Sequence, residues 1–154
     1  MTAKEEKISL VTLQQLNILK RIGIPIGNGT DLPNNGEYDL VIDGVLGYSL
    51  KGNPYGIPGE VIDWVNRRTE KVLSLDTPSG LDLTTGKVYN ATIKANATLT
   101  LAMPKEGLFS KAAREVVGNL YLGDINVPRE LYSEKSLGLK PPNVFRYSDL
   151  VRVF

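Results

Sequence analysis

Two aspartates stand directly after apolar segments, and each is followed within a few residues by glycine. The first, Asp43, opens the segment DGVLGYSLKGN over residues 43–53. Glycines let a backbone approach a ligand closely, and the N–H groups of such a loop can hold an anion. Lys51 would add a positive charge for a phosphate, although the spacing is not that of a Walker loop. The pattern alone favours, by a small margin, a surface loop that carries a solvated lysine.

The second aspartate opens the segment DTPSG over residues 76–80. Pro78 restricts the backbone of a turn, and the more flexible Gly80 lets the chain complete it. This turn directs Asp76 and Ser79 towards one point. An aspartate at the end of a strand can act as a general base, a ligand or a hydrogen-bond acceptor. The alternative is an Asx turn that only caps the strand.

Two further segments are weaker candidates. Met103–Gly107 either lines the mouth of the same site or forms a turn between a strand and a helix. The segments over 27–29 and 33–36 are rich in glycine and asparagine and look like phosphate loops. A phosphate loop should open a helix, whereas these lead into the strand that ends at Asp43, so we interpret them as turns.

The chain of 154 residues has no histidine and no cysteine. This excludes disulfides, thiolate nucleophiles, zinc and iron–sulfur centres, and any histidine base. An enzyme of this composition must use Asp, Glu, Lys, Tyr, Ser or backbone dipoles, and any metal must be a hard, oxygen-ligated cation. Eighteen basic and seventeen acidic residues give a net charge of +1, which does not indicate binding to nucleic acid or to a membrane surface.

The length predicts one domain. No early segment resembles a signal peptide, and no run approaches the ~20 apolar residues that cross a bilayer. We therefore expect a cytoplasmic protein without a membrane span.

The elements that must position the candidate residues alternate along the chain. Helices are predicted over 9–21, 58–68 and 104–117, strands over 24–26, 39–43, 71–76, 97–101 and 119–122, and a surface tail over 129–154. The lack of alternation in residues 39–43 predicts burial on both faces of that strand. The order predicts an α/β fold with a mostly parallel sheet and helices on both faces. In such sheets the site lies beyond the carboxyl ends of the strands, where Asp43 and Asp76 are expected.

Four stretches of the chain together resemble one known family. They are VIDGVLGYSLKGNPYGIPGEVIDWVN, KVLSLDTPSGLDLTTG, ATLTLAMPKEGL and LGDINVP. Their order and spacing are similar to the D-(A/G)-x-x-G-x-x-x-K-G loop, the D-x-P-S-G-x-D turn, the A-x-x-T-L-x-x-P-K strand end and the G-D-I-x-x-P segment of the NAD(P)HX epimerase family, also called the YjeF N-terminal domain. The resemblance covers residues 39–128, and it implies a single Rossmann-like domain of three αβα layers over residues 1–154.

The resemblance implies an isomerase that interconverts the epimers of hydrated NADH or NADPH, so that a partner dehydratase can repair them. It implies that Asp43 and Ser79 match positions that bind a potassium ion. It also implies that Asp76 contacts the hydrated nucleotide, where we expect it to assist acid–base chemistry at the epimerised carbon. Lys51 is expected to supply electrostatics for the phosphate or the substrate. The nucleotide-binding loop matches Gly47, Tyr48, Ser49, Leu50, Lys51, Gly52 and Asn53.

The family has a further helix and strand ahead of these motifs, ending in a glycine-rich G-N-G-x-N-G-G-D-G segment that this sequence does not contain. Three explanations stay open: a split protein with a second chain, a piece of a longer protein, and a degenerate member. We predict a homo-oligomer or a partner chain that supplies this section, because a sheet lacking an edge exposes unpaired strand groups. The alternative function is a non-catalytic nucleotide-binding or dimerisation scaffold of the same fold, and a small-molecule kinase is a third.

Overall fold

A computed structural model of the chain describes residues 1–3, 5–33, 38–68, 70–140 and 142–154. Its centre is a five-stranded sheet in which the strand order follows the chain order. The strands are β1 (Leu40–Asp43), β2 (Lys71–Leu75), β3 (Ala97–Leu101), β4 (Asn119–Gly123) and β5 (Leu150–Arg152). The helices are α1 (Leu10–Arg21), α2 (Ile57–Asn66), α3 (Lys111–Val117) and α4 (Arg129–Ser133), with short 3₁₀ helices at Glu5–Lys7 and Glu106–Phe109. The first four strands are parallel and β5 is antiparallel to β4, which confirms the predicted α/β fold with a mostly parallel sheet.

The core lies on one face of this sheet, under α2 and α3. Val72 of β2 and Leu120 of β4 share that face, because the register pairs Ser74 with Thr98 and Thr98 with Leu120. The first buried cluster joins α2 to β2, and the second joins α3 to β4. The first cluster consists of Ile62, Val65, Val72 and Ile93. The second consists of Leu81, Leu83, Leu108, Ala113, Val117 and Leu120. This packing fixes the parallel strands so that their carboxyl ends lie together at one end of the sheet, which is called the carboxyl edge.

The ends of α1 and α2 follow the predicted signals. Ser9 caps α1 by accepting a hydrogen bond from the backbone N–H of Thr12 at 3.2 Å, and Gly23 follows the helix with a φ of +76°. In α2, Pro58 lies in the first turn, where a missing N–H costs nothing. No helix in the described part of the chain is long and apolar enough to cross a bilayer.

The prediction that residues 39–43 are buried on both faces is wrong. Leu40 is 46% exposed and Ile42 is 60% exposed, whereas Asp43 is buried. The reason is the position of β1, which lies at the edge of the sheet and pairs only with β2 among the described residues. A short apolar strand therefore does not by itself indicate a central position.

Three further elements differ from the prediction. Residues 24–26 form no strand, since Pro25 cannot donate to a ladder and the N–H of Ile24 instead closes the end of α1 on Leu19 O at 3.1 Å. The helix predicted over 104–117 is split at Ser110, which caps α3 by accepting from Ala113 N–H at 3.0 Å. Residues 119–122 are not the last strand, because β5 adds to the sheet from within the predicted tail.

Of the glycine-rich residues 27–29, Asn28 and Gly29 lie in a turn, as predicted, in which the N–H of Asp31 donates to Asn28 O at 3.0 Å. Of the second segment, 33–36, only Pro33 lies within the described residues.

Candidate functional site

Three segments that follow neighbouring parallel strands meet at the carboxyl edge of the sheet. Asp43 ends β1, Asp76 follows β2, and Lys105 follows β3 by four residues. Ser79 folds back from the turn after β2 and bonds Asp43. The edge therefore gathers two carboxylates, a hydroxyl and an ammonium group.

The carboxylate of Asp43 fastens the turn after β2 to the end of β1. Its Oδ2 accepts hydrogen bonds from Ser74 Oγ at 2.7 Å and from the backbone N–H of Ser79 at 2.8 Å. Its Oδ1 accepts from Ser79 Oγ at 2.6 Å and from the N–H of Val45 at 3.3 Å. The N–H of Leu46 donates in turn to Ser79 Oγ at 2.8 Å. Asp43 is 2% exposed, so these bonds are shielded from water.

The pair Asp43 and Ser79 was expected to bind potassium. Both residues offer oxygen, which is the chemistry that a hard cation requires. A carboxylate has about four lone-pair positions, and four protein donors already occupy those of Asp43. In the described part of the chain, no group of three or more His, Cys, Asp or Glu side chains is arranged to hold a metal ion. In this arrangement a cation could reach the carboxylate of Asp43 only by displacing one of these donors. Potassium binding stays a prediction.

Gly80 allows the chain to pass closely behind the turn that carries Ser79. Its φ is +105°, and a Cβ there would lie 2.5 Å from the carbonyl oxygen of Ala91 and 2.5 Å from Thr92 Oγ1. The N–H of Ile93 donates to the carbonyl oxygen of Ser79 at 2.8 Å. Only glycine fits this position, so the sequence PSG is required by the packing of residues 91–93 as well as by the turn.

Asp82 ends the same motif and holds the next turn. The backbone N–H groups of Thr85 and Thr84 donate to Asp82 Oδ1 at 3.1 and 2.9 Å. These bonds lower the pKa of the Asp82 carboxyl from its ordinary value, Thr85 contributing most. A lowered folded-state pKa contributes stability above the unfolded pKa, and this contribution is lost as the pH falls through the folded value.

Asp76 has a backbone conformation that is uncommon for a residue with a side chain. Its φ is +65°, in the left-handed region, and its N–H donates to Leu99 O at 2.7 Å. Its carboxylate forms an ion pair with Lys105. The Asp76 side chain is 30% exposed and the Lys105 side chain 24%, so the pair is half-buried and open on one side.

The predicted nucleotide loop is exposed beside this edge. Gly47, Tyr48, Ser49, Lys51 and Asn53 are exposed, and Leu50 and Gly52 are half-buried. A turn closes the loop from Leu50 N–H to Gly47 O at 3.3 Å. Asn53 Oδ1 accepts from the N–H of Asn90 at 3.1 Å, which ties the far end of the loop to the segment behind Gly80.

The structure brings together some of the predicted residues and separates others. Asp43 and Ser79 are in direct contact. The predicted catalytic pair of Asp76 and Lys51 is not: Asp76 contacts Lys105, and Lys51 has no hydrogen bond or ion pair with any described residue. Lys105 is the functional candidate that the sequence does not single out, although its segment, 103–107, is a weaker candidate for the mouth of the same site. Its signal was the position of a lysine shortly after the strand next to Asp76.

Comparison with known proteins gives concordant matches. Residues 1–107 match the family described as YjeF-related protein N-terminus. The chain is 39% identical over 132 residues to the NAD(P)H-hydrate epimerase of Dehalogenimonas lykanthroporepellens, covering 84% of this chain and 51% of that protein. It is 37% identical over 93 residues to the bifunctional NAD(P)H-hydrate repair enzyme Nnr of Moorella thermoacetica, covering 60% of this chain and 18% of that protein. The chain thus spans about half the length of the epimerase and a smaller part of Nnr.

The fold also matches a solved structure. The crystal structure of the yeast protein YNL200c superposes with a TM-score of 0.71 at 15% identity, covering 96% of this chain and 62% of the yeast chain. At this identity the likeness concerns the fold alone.

Proposed function

We propose that this chain, which belongs to the family of YjeF-related protein N-termini, takes part in epimerising hydrated NADH and NADPH. This reaction would serve the repair of nicotinamide nucleotides. Two relatives that support this carry the names NAD(P)H-hydrate epimerase and NAD(P)H-hydrate repair enzyme. The observation that carries the proposal is the Asp76 carboxylate, which follows β2 and is anchored by Lys105, while the exposed loop over residues 47–53 follows the neighbouring parallel strand β1. We also propose a cytoplasmic location.

The proposed reaction needs proton transfer at one carbon. Water adds to the enamine double bond of a reduced nicotinamide with its hydroxyl on the carbon next to nitrogen. Inverting that carbon requires either its bond to oxygen or its bond to nitrogen to break and form again. In both routes a proton is transferred to or from the hydroxyl group. A positioned carboxylate performs this transfer, which is the role we assign to Asp76.

Lys51 is proposed to bind the charged part of the substrate. It is exposed and has no ion-pair partner among the described residues, so its ammonium group is available to a phosphate. The glycines that flank it, Gly47 and Gly52, leave the backbone accessible: a Cβ on either would meet no atom within 4 Å. Such an uncrowded backbone allows a phosphate to approach the loop closely.

Replacing Lys51 with methionine should weaken substrate binding and leave the chemical step nearly unchanged. The substitution keeps the aliphatic length and removes one exposed charge, which we expect to raise KM about 5- to 20-fold with kcat within about 2-fold. Steady-state kinetics with each hydrate epimer measure both constants, and Lys111→Met on α3 is the matched control. An unchanged KM would contradict the role of Lys51.

The proposed function is tested by an epimerisation assay. The chain is incubated with one purified epimer of hydrated NADPH, alone and after addition of a chain that carries the glycine-rich first segment of the family, and the epimer ratio is followed by chromatography. Acceleration over the uncatalysed reaction in either arm supports the proposal. If the protein is folded and neither arm accelerates the reaction, the proposal is refuted and the non-catalytic scaffold is favoured.

We further propose that β1 is covered by another polypeptide, with a second copy of this chain as the occupant. β1 has an unpaired edge in the described part of the chain, because it pairs only with β2. Leu40, Ile42 and Leu75 lie beside it with 46%, 60% and 44% of their surfaces exposed. An open edge next to apolar side chains is a template for strand pairing.

Replacing Ile42 with lysine should weaken this association. A charge beside an open edge opposes pairing, and we expect the dissociation constant of the dimer to rise about tenfold or more, which corresponds to ~1.4 kcal/mol. Light scattering over a concentration series measures it, with Leu137→Lys at another exposed position as the control. A wild-type chain that stays monomeric at high concentration contradicts self-association and favours a separate partner chain.

A further inference from the structure

Lys105 uses its whole hydrogen-bonding capacity within the candidate site. An ammonium group has three donors. Those of Lys105 point at Asp76 Oδ1, at Thr100 Oγ1 at 3.1 Å and at the carbonyl oxygen of Leu101 at 3.0 Å. Two of these acceptors belong to β3, which is paired with a strand on each side. The lysine therefore connects the Asp76 carboxylate to the end of a strand rather than to solvent.

The two oxygens of the Asp76 carboxylate have different surroundings. Oδ1 accepts from Lys105 Nζ, from Thr100 Oγ1 at 3.3 Å and from the N–H of Leu101 at 3.4 Å. No described residue donates a hydrogen bond to Oδ2. One oxygen is thus anchored by three donors, and the other is left for a group from outside the protein. This asymmetry is what a proton-transferring carboxylate needs, since it must be held in place and still present a free lone pair.

The backbone at Asp76 supports the same interpretation. A φ of +65° is unfavourable for a residue with a side chain, and such conformations persist only where surrounding contacts over-determine them. The N–H of Asp76 is bonded to Leu99 O, and its side chain is bonded to residues 100–105. The strained residue is therefore fixed to β3 at both its main chain and its side chain.

We propose that Lys105 is the positioning residue of the site: it holds Asp76 Oδ1 against β3, so that Oδ2 is directed at the hydrated nucleotide. This inference rests on the proposed function, since it assigns a task within that reaction. It divides the work between two lysines. Lys51, exposed on the loop, attracts the substrate, and Lys105, half-buried on the strand end, orients the carboxylate.

Kinetics of Lys105→Met distinguish the two tasks. Without the ammonium group the carboxylate keeps only the two long contacts to β3 and can rotate. A misplacement of about 1 Å lowers a rate by about 10²-fold, so we expect kcat to fall about 30- to 100-fold with KM within about 3-fold. This is the reverse of the pattern expected for Lys51→Met. Lys105→Arg should recover part of the loss, because it returns a donor to Asp76 Oδ1. An unchanged kcat, or a raised KM at constant kcat, would overturn the proposal.

A second measurement decides the matter independently of activity. The urea midpoints of unfolding are measured for Asp76→Asn, Lys105→Met and the double variant. If Lys105 holds the carboxylate, the double variant should lose less than the sum of the two separate losses, because either substitution alone already removes the ion pair. Additive losses would overturn the proposed contact. If the two substitutions are coupled but the chain has no epimerase activity, the contact between Lys105 and Asp76 stands and the proposed function is refuted.

Discussion

Asp76→Asn should lower the rate of epimerisation of hydrated NADPH by about 10²- to 10⁴-fold, which is the usual contribution of a positioned acid or base. The amide has nearly the shape of the carboxylate but cannot take up the proton of the hydroxyl at the inverting carbon. Asparagine also tolerates the left-handed region better than most residues, so the φ of +65° is no obstacle to folding. We therefore expect a loss of kcat without a comparable loss of stability.

Chromatography of the epimer mixture measures this rate, and Asp63→Asn on the exposed side of α2 is the matched control. The control should behave as the wild type. Thermal unfolding of both variants checks that the fold is retained. If Asp76→Asn epimerises the hydrate within about 3-fold of the wild-type rate, Asp76 is not the acid or base.

Asp43→Ala should be among the most destabilising single changes in the chain, with a loss of about 3–5 kcal/mol in the free energy of unfolding. The substitution leaves the N–H of Ser79 and the hydroxyl of Ser74 without their acceptor in a buried place, and the hydroxyl of Ser79 keeps only Leu46 O at 3.2 Å. A buried donor without a partner costs about 1–3 kcal/mol. Such a loss is a large part of the 5–15 kcal/mol that stabilises a typical domain.

Urea unfolding measures this loss, and Ser74→Ala is the comparison because it removes one donor and leaves Asp43 with three. We expect Ser74→Ala to cost about 1 kcal/mol. Equal losses for the two variants would show that Asp43 is not the centre of the hydrogen-bonded junction. The same titration in potassium chloride and in choline chloride tests the ion: specific binding to the folded chain would raise stability in potassium alone.

The position of the site followed from local pattern and one general rule. Asp43 and Asp76 each end an apolar segment, and parallel strands bring their carboxyl ends to one edge. The turn at Pro78 and Gly80 predicted only that Ser79 and Asp76 point towards one place, and the pairing of Ser79 with Asp43 was implied by the resemblance to the family. The hydrogen bonds between these residues could not be predicted from the sequence, because the four donors to Asp43 depend on how residues 44–46 pass over the turn.

The pairing of Asp76 with Lys105 could not be predicted from the spacing of residues. A lysine in a glycine-rich loop is conspicuous, but a loop does not determine where its side chains point. Lys105 lies in a less conspicuous segment, yet the length of its side chain and the pairing of β2 with β3 bring it to Asp76. The choice between two lysines is a tertiary matter that the spacing of residues cannot resolve.

The elements were predictable where a local signal marks them. Capping at Ser9 and the proline in α2 located two helices. The edge position of β1 and the existence of β5 depend on long-range pairing, which leaves no local trace in Leu40–Asp43 or Leu150–Arg152.

The pairing of β5 with β4 has a consequence for the order in which the molecule is made. Val153 N–H donates to Leu120 O at 2.8 Å and Leu120 N–H donates to Phe154 O at 3.1 Å, and both later residues pack on the core under α3. During synthesis β4 is complete some 25 residues before its antiparallel neighbour leaves the ribosome, at about 5–20 residues per second. For one or more seconds the nascent sheet therefore presents a second open edge, and the polar residues between α4 and β5 pass through the exit tunnel before that edge can be closed.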